Sequence, residues 1–217
     1  MALSKKELSL AADIIRVCRE LQARGLNQGT AGNVSVRLPD GFLVTPSGLA
    51  YDVMRPGDLV KVDASGRPSG RRKPSSEWRL HLDAYKNRPE IGAVVHTHSG
   101  YATTLACLRR KIPAFHYIIA FFGGDDIRCS DYATYGTQEL SDLVVKALKD
   151  RMAALMGSHG LIVLGQTLDK ALALTVEAET LAMMYWRAIQ AGEPVILPSD
   201  EIERVRRKAQ ASGYGQA

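Results

Sequence analysis

His96-Thr97-His98 closes the apolar run Ile91-Gly92-Ala93-Val94-Val95. On an extended backbone, side chains at i and i+2 point to one side. A strand that ends here therefore leans two imidazoles over a single point. A third ligand from elsewhere would complete a set, and His159, in Ser158-His159-Gly160, is the candidate. Imidazole suits zinc and neighbouring transition metals, and three protein ligands leave a coordination position for substrate. The pattern points to a catalytic metal rather than a structural one. Taken alone, the tripeptide serves equally well as a strand-end pair hydrogen-bonded to the backbone.

Three other segments have the chemistry to hold an anion. Gly32-Asn33 offers a flexible backbone amide beside a carboxamide. Thr45-Pro46-Ser47-Gly48 is a turn with hydroxyls and an approachable backbone. Ser75-Ser76 precedes a helix, where free N–H groups and the helix dipole favour a phosphate. Each is also an ordinary turn or cap, and spacing does not show that they converge. Glu77 follows in what reads as the first helical turn, where its charge complements the dipole. His81, one turn on, can pair with Glu77 or act as a ligand, but its place among Trp78, Leu82 and Tyr85 points to a structural hydrogen bond. His116-Tyr117 is a second cluster of acid–base groups.

The elements that must position these residues follow from periodicity. Residues 5–24 carry an apolar helical stripe, with Ser4 and Glu7 as a capping box and Gly25 as the stop. Alternation predicts strands over 34–37, 42–45 and 58–63, the first two joined by the Asp40-Gly41 turn. Residues 64–73 read as an exposed connection. A helix from Ser75, the histidine strand and a helix over about 99–108 come next. Then come a helix over about 137–150, strands at 153–156 and 161–164 around His159, and helices over 169–191 and 199–211. Hairpin-like early strands and helix-separated later ones predict an α+β or layered α/β/α domain with a largely antiparallel or mixed sheet. Gly29-x-x-Gly32 leads into a strand and so is not a dinucleotide fingerprint.

Composition bounds the rest. A chain of 217 residues, 46% hydrophobic and 24% charged, fits one globular domain. No apolar stretch reaches the roughly 20 residues of a membrane span, and the first residues lack the apolar core of a signal peptide. Three scattered cysteines suit packing in a reducing cytoplasm rather than a disulfide framework. The net charge of +5 is spread over Arg71-Arg72-Lys73, Arg109-Arg110-Lys111 and Arg204 to Lys208. With no nucleic-acid motif beside it, it reads as a solvated surface whose field favours anionic small substrates.

Together, the segments Gly25 to Arg37, Thr45 to Gly48, Lys73-Pro74-Ser75-Ser76-Glu77-Trp78 and Val94 to His98 resemble the class II aldolase/adducin family. The resemblance runs on through Ile112-Pro113-Ala114, His116-Tyr117, Gly123-Gly124, Tyr132-Ala133-Thr134, Gly136-Thr137 and His159-Gly160-Leu161, over about residues 5–190. It implies a three-layer α/β/α fold with a mainly antiparallel sheet, as one domain over 1–217 with a divergent, mobile tail from about 193. It implies that His96, His98 and His159 hold Zn²⁺ or another divalent transition metal. Glu77 is then a further ligand at rest and the catalytic acid/base. Gly32, Asn33, Ser47, Gly48, Ser75 and Ser76 would cradle the substrate phosphate. Tyr117 would reach a neighbouring subunit's site and protonate the aldehyde-derived oxygen, and Tyr135 and Tyr214 would border the aldehyde.

The activity implied is reversible cleavage of a ketose 1-phosphate, L-fuculose 1-phosphate first, to dihydroxyacetone phosphate and lactaldehyde. The assembly implied is a cytoplasmic homotetramer with active sites between subunits. Rival readings on the scaffold are a ribulose-phosphate 4-epimerase, which would carry aspartate at Glu77, another sugar-phosphate lyase, and a non-catalytic adducin-like module, which would have lost the histidines. Departures from the family pattern at Ser47, Tyr135 and Phe121-Phe122 bear on the aldehyde rather than the metal.

Overall fold

In the computed structural model, which describes residues 3–212, the chain begins with the capping box expected of it. The Ser4 hydroxyl accepts from the Glu7 amide, the Glu7 carboxylate accepts from the Ser4 amide, and helix α1 runs Lys5–Ala23. Gly25 ends it at a φ of 71°. Five further helices follow: α2 (Trp78–Asn87), α3 (Gly100–Cys107), α4 (Gln138–Ala147), α5 (Leu168–Ala191) and α6 (Ser199–Ser212).

The strands are β1 (Asn33–Leu38), β2 (Gly41–Val44), β3 (Val60–Asp63), β4 (Pro68–Ser69), β5 (Ala93–Thr97), β6 (Ile112–Pro113), β7 (Asp126–Cys129), β8 (Ala153–Met156) and β9 (Gly160–Gly165). They form one sheet in the order β4-β3-β2-β1-β5-β9-β8-β7-β6. Every neighbouring pair is antiparallel except β7 and β8.

Alternation along the central strands sorts the side chains into layers. Val94, Ala154, Met156, Ile162 and Leu164 pack with Leu80, Leu82 and Tyr85 of α2 and Leu140 and Val144 of α4. On the other face, Ala153, Leu155, Leu161 and Val163 pack with α3 and α5, and Ala93 and Val95 pack with α1. This is the three-layer α/β/α architecture, with the mixed, mainly antiparallel sheet that was expected.

Two local readings need correction. Residues 58–59 alternate like a strand, yet Pro56–Asp58 is a 3₁₀ turn and the strand starts at Val60. Pro56 pre-sets the turn, and the buried Asp58 carboxylate accepts from the Arg55 amide and pairs with Arg71 and Arg72. The connection over 64–73 is exposed as expected but contributes β4 to the sheet edge. After α5, the Leu197 amide donates to Ala114 O, and α6 packs Ile202 against the 3₁₀ helix Tyr117–Phe122. Each basic cluster holds ion pairs, at Asp58, Asp126 and the Glu201–Glu203 turn of α6. Among the described residues, no helix is long and apolar enough to cross a membrane.

Candidate metal centre and active site

Four elements deliver the chemistry to one place. Strand β5 lies between β1 and β9, which sets Asn33 opposite His96 on one side and Ile162 opposite it on the other. His96 lies on the strand and His98 just past its end, so both rings lean the same way. His159 comes from the β8–β9 turn, closed by the His159 amide donating to Met156 O at 2.9 Å. The three ring centroids form a near-equilateral triangle of 4.9, 4.9 and 5.1 Å.

Glu77 completes the group from the start of α2. It is the N-cap residue rather than a member of the first turn, with φ −102° and ψ 17°. Its side chain makes no capping bond. It turns inward instead, placing Oε2 3.2 Å from His96 Nε2 and Oε1 3.3 Å from His159 Nε2. The four potential ligand atoms all lie within 4.8 Å of one another.

Surrounding groups fix these side chains. His96 Nδ1 donates to Leu161 O at 2.9 Å, which aims Nε2 inward. The His98 amide donates to Asn27 Oδ1 at 3.0 Å. Gly160 makes room for the rings, since a Cβ there would meet Thr97 O at 2.4 Å and the His98 and His96 rings at 3.1 and 3.2 Å. Gly32, at φ 74°, does the same for Asn27 and His96 O. Asn33 Nδ2 donates to Glu77 Oε2 at 3.0 Å, whereas Glu77 Oε1 is buried with no hydrogen-bond partner.

Electrostatics favour the ligand forms of Glu77, His98 and His159. Burial, reinforced by His96, pushes the His98 and His159 imidazoles down to about 4, so both are neutral with lone pairs available. Burial alone would raise the Glu77 carboxyl. His96, His159 and the Asn33 amide instead hold it well below the usual carboxylate range. Burial also opposes a charge on His96, yet Glu77 raises its pKa. Three imidazole nitrogens and an anionic oxygen without a donor are a set that a divalent cation satisfies, and the residues fit one.

Beside this cluster lies a cavity of about 350 Å³. The Ser75 amide donates to Thr45 O at 3.0 Å and the Ser47 amide to Lys73 O at 3.1 Å, so the two hydroxyl-bearing loops are zipped together. Gly32, Asn33, Ser47, Gly48, Ser75, Ser76, Glu77, His98, His159 and Tyr135 all line it, with His96 fully buried beside them. The three segments with the chemistry to hold an anion thus converge. Tyr117 does not line the cavity. It starts the 3₁₀ helix against α6, 47% exposed. Tyr214 lies outside the described residues.

Residues given no site role from sequence also contribute. Thr30, Tyr132 and Ser158 join the wall. Tyr132 carries no periodic signal, but its place beside Tyr135 in a polar loop could have marked it.

The fold and the site define a class of protein, and the chain's sequence matches that class directly. Residues 12–186 match the model of the class II aldolase and adducin N-terminal domain, and the chain belongs to this family. It is 52% identical over 206 residues to a 5-methylthioribulose-1-phosphate/5-deoxyribulose-1-phosphate aldolase of Rhodospirillum rubrum, covering 95% of this chain and 93% of that one. It is 48% identical over 192 residues to the L-fuculose phosphate aldolase of Escherichia coli K12, covering 88% and 89%. Among solved structures, an L-fuculose 1-phosphate aldolase superposes with a TM-score of 0.91 at 39% identity, covering 96% of this chain and 98% of that one.

Proposed function

We propose that the chain is a metal-dependent aldolase that reversibly cleaves a terminally deoxygenated ketose 1-phosphate into dihydroxyacetone phosphate and an aldehyde. The observation that carries this reading is the cluster of Glu77, His96, His98 and His159 beside a cavity also lined by Gly32, Ser47, Gly48, Ser75 and Ser76, groups whose chemistry suits a phosphate. A divalent cation held by these four groups, Zn²⁺ by the chemistry of the donors, supplies Lewis-acid stabilisation of the charge that develops on the substrate oxygens.

The protein's own groups do the rest. Backbone amides around Gly32 and Gly48 and the Ser47, Ser75 and Ser76 hydroxyls bind the phosphate near the start of α2, where the dipole favours an anion. That anchors the reacting carbons beside Glu77. Asn33 spends one amide N–H on Glu77 and keeps a second for the ligand. In condensation Glu77 takes the proton from the carbon α to the carbonyl, and in cleavage it returns that proton. Tyr117, exposed away from this cavity, serves a neighbouring copy by handling the proton on the aldehyde oxygen, so the working unit holds more than one copy, in keeping with the cytoplasmic homotetramer that the family resemblance implies.

The sugars named for the relatives share one feature: fuculose and 5-deoxyribulose end in a methyl group and methylthioribulose in a methylthio group. The rings of Tyr132 and Tyr135 at the cavity rim suit such an apolar end. L-fuculose 1-phosphate therefore stands beside 5-deoxy- and 5-methylthioribulose 1-phosphate as the substrate class. Assaying dihydroxyacetone phosphate release from all three, with ribulose 5-phosphate as an epimerisation control, tests the reading. Release from at least one is expected. Epimerised ribulose 5-phosphate with no release from any would overturn it.

A further inference from the structure

Helix α2 and strand β1 face each other with two different periods in step. Every fourth residue of the helical segment, Glu77, His81 and Tyr85, meets every second residue of the strand, Asn33, Ser35 and Arg37. Four helical residues advance about 6 Å and two strand residues about 7 Å, so the match holds over the whole span. The contacts run without a gap. Glu77 Oε2 accepts from Asn33 Nδ2 at 3.0 Å, and Asn33 Oδ1 is 2.5 Å from His81 Nε2. His81 Nδ1 is 2.6 Å from Ser35 Oγ, which is 2.8 Å from the Tyr85 hydroxyl. Arg37 lies over the Tyr85 ring at 4.6 Å and donates to Tyr85 O. His81 and Ser35 are wholly shut off from solvent.

The direction of every bond follows from the charge at one end. An ionised carboxylate only accepts, so Asn33 aims its NH₂ at Glu77 and its carbonyl at His81. That carbonyl requires a proton on His81 Nε2. The ring is neutral, because burial pushes its pKa down to about 3. Nδ1 is then a bare acceptor for the Ser35 hydroxyl, whose oxygen accepts in turn from Tyr85.

We propose that His81 is a positioning residue for Glu77. Through Asn33 it ties down one carboxylate oxygen, Oε2, and leaves the other, Oε1, the oxygen that would face the cation at rest, as the atom that exchanges the substrate proton once substrate occupies the site. The proposal rests on the aldolase reading above. A carboxylate oxygen that accepts a hydrogen bond is stabilised as an anion and is the weaker base, whereas Oε1 has no donor. In the condensation direction the C3–H bond of dihydroxyacetone phosphate breaks. The proton passes to Oε1 and the electron pair moves into the C2 carbonyl, giving the enediolate. Without His81 the Asn33 amide is free to turn, and Glu77 loses the anchor that aims Oε1.

Three readouts test this on metal-loaded protein: kcat against KM with bound metal per subunit, recovery by a conservative variant, and the His81 tautomer by ¹⁵N NMR. His81→Phe keeps the ring and removes both nitrogens, and His81→Gln restores an N–H toward Asn33. The expected result for His81→Phe is a kcat lowered roughly 10- to 100-fold, with KM and metal content held within about twofold. His81→Gln should recover kcat to within about fivefold of the parent. The NMR spectrum should show Nε2 protonated and Nδ1 bare. If His81→Phe does not fold, Ser35→Ala takes its place, with kcat lowered about three- to tenfold at unchanged KM. An Nδ1-protonated His81, an unchanged kcat, or a loss that tracks lost metal and is not recovered by glutamine would each overturn the proposal. A parent protein that cleaves no ketose 1-phosphate overturns the aldolase reading instead, and the tautomer, which needs no substrate, still decides the lock.

Discussion

The proposed reaction gives Glu77 two jobs on one side chain, and its surroundings make its two oxygens unlike. Replacing it with glutamine leaves the three imidazoles in place. Glu77→Gln should therefore still bind metal while solvent exchange of the C3 hydrogen of dihydroxyacetone phosphate falls about 100-fold or more. Proton exchange by NMR in D₂O measures it, and retained exchange would remove Glu77 from the acid/base role. Gly160→Ala acts on the same cluster by volume. Its Cβ has only 2.4 Å to Thr97 O, so the variant should lose about 1–3 kcal/mol in urea melts and bind metal more weakly. Period-2 logic placed His96 and His98 on one side of a strand, and that much was legible. The inward turn of Glu77 was not, because it depends on a backbone bend at an N-cap that no residue type announces. The structural hydrogen bond of His81 was foreseen, but its partners lie across a strand register that only the folded sheet defines.

Elements with a full period were the readable ones. The Ser4/Glu7 box, the α1 stripe and the long helix α5 come directly from spacing, whereas β4 and β6, two residues each, have no period to detect. The capping box also makes a pH prediction. The Ser4 amide, the Lys61 ammonium at 3.0 Å and the Ser4 hydroxyl hold Glu7 down to about 2 from its ordinary 4.5. The folded value lies below the unfolded one, so the stabilisation is whole above about pH 4.5 and drains as pH falls toward 2. Glu7→Gln should lower unfolding free energy at pH 7 by about 1–2 kcal/mol, and the gap should close progressively below pH 5. Urea titrations at pH 7 and pH 3 read it. An equal gap at both would show that the carboxylate charge is not what α1 uses.

At the scale of the whole molecule, the sheet order brings the chemistry to the ends of β1, β5 and β9 while leaving Tyr117 off that cavity. A chain sequence shows which residues have acid–base chemistry, but not which copy they serve. If Tyr117 completes a neighbour's site, Tyr117→Phe and Glu77→Gln subunits should complement each other. Random mixed rings would then hold about a quarter of sites with both native residues, and activity should return to about that fraction. Mixtures as inactive as their parents would place both residues in one subunit's site. Metal-dependent cleavage built on Glu77 and three histidines is read out by dihydroxyacetone phosphate release from a deoxyketose 1-phosphate. The assay is run before chelation, after complete metal removal, and after Zn²⁺ is restored. Release, its loss and its return should follow bound metal in step. Release that persists without metal, or no release from the fully loaded protein, would contradict it.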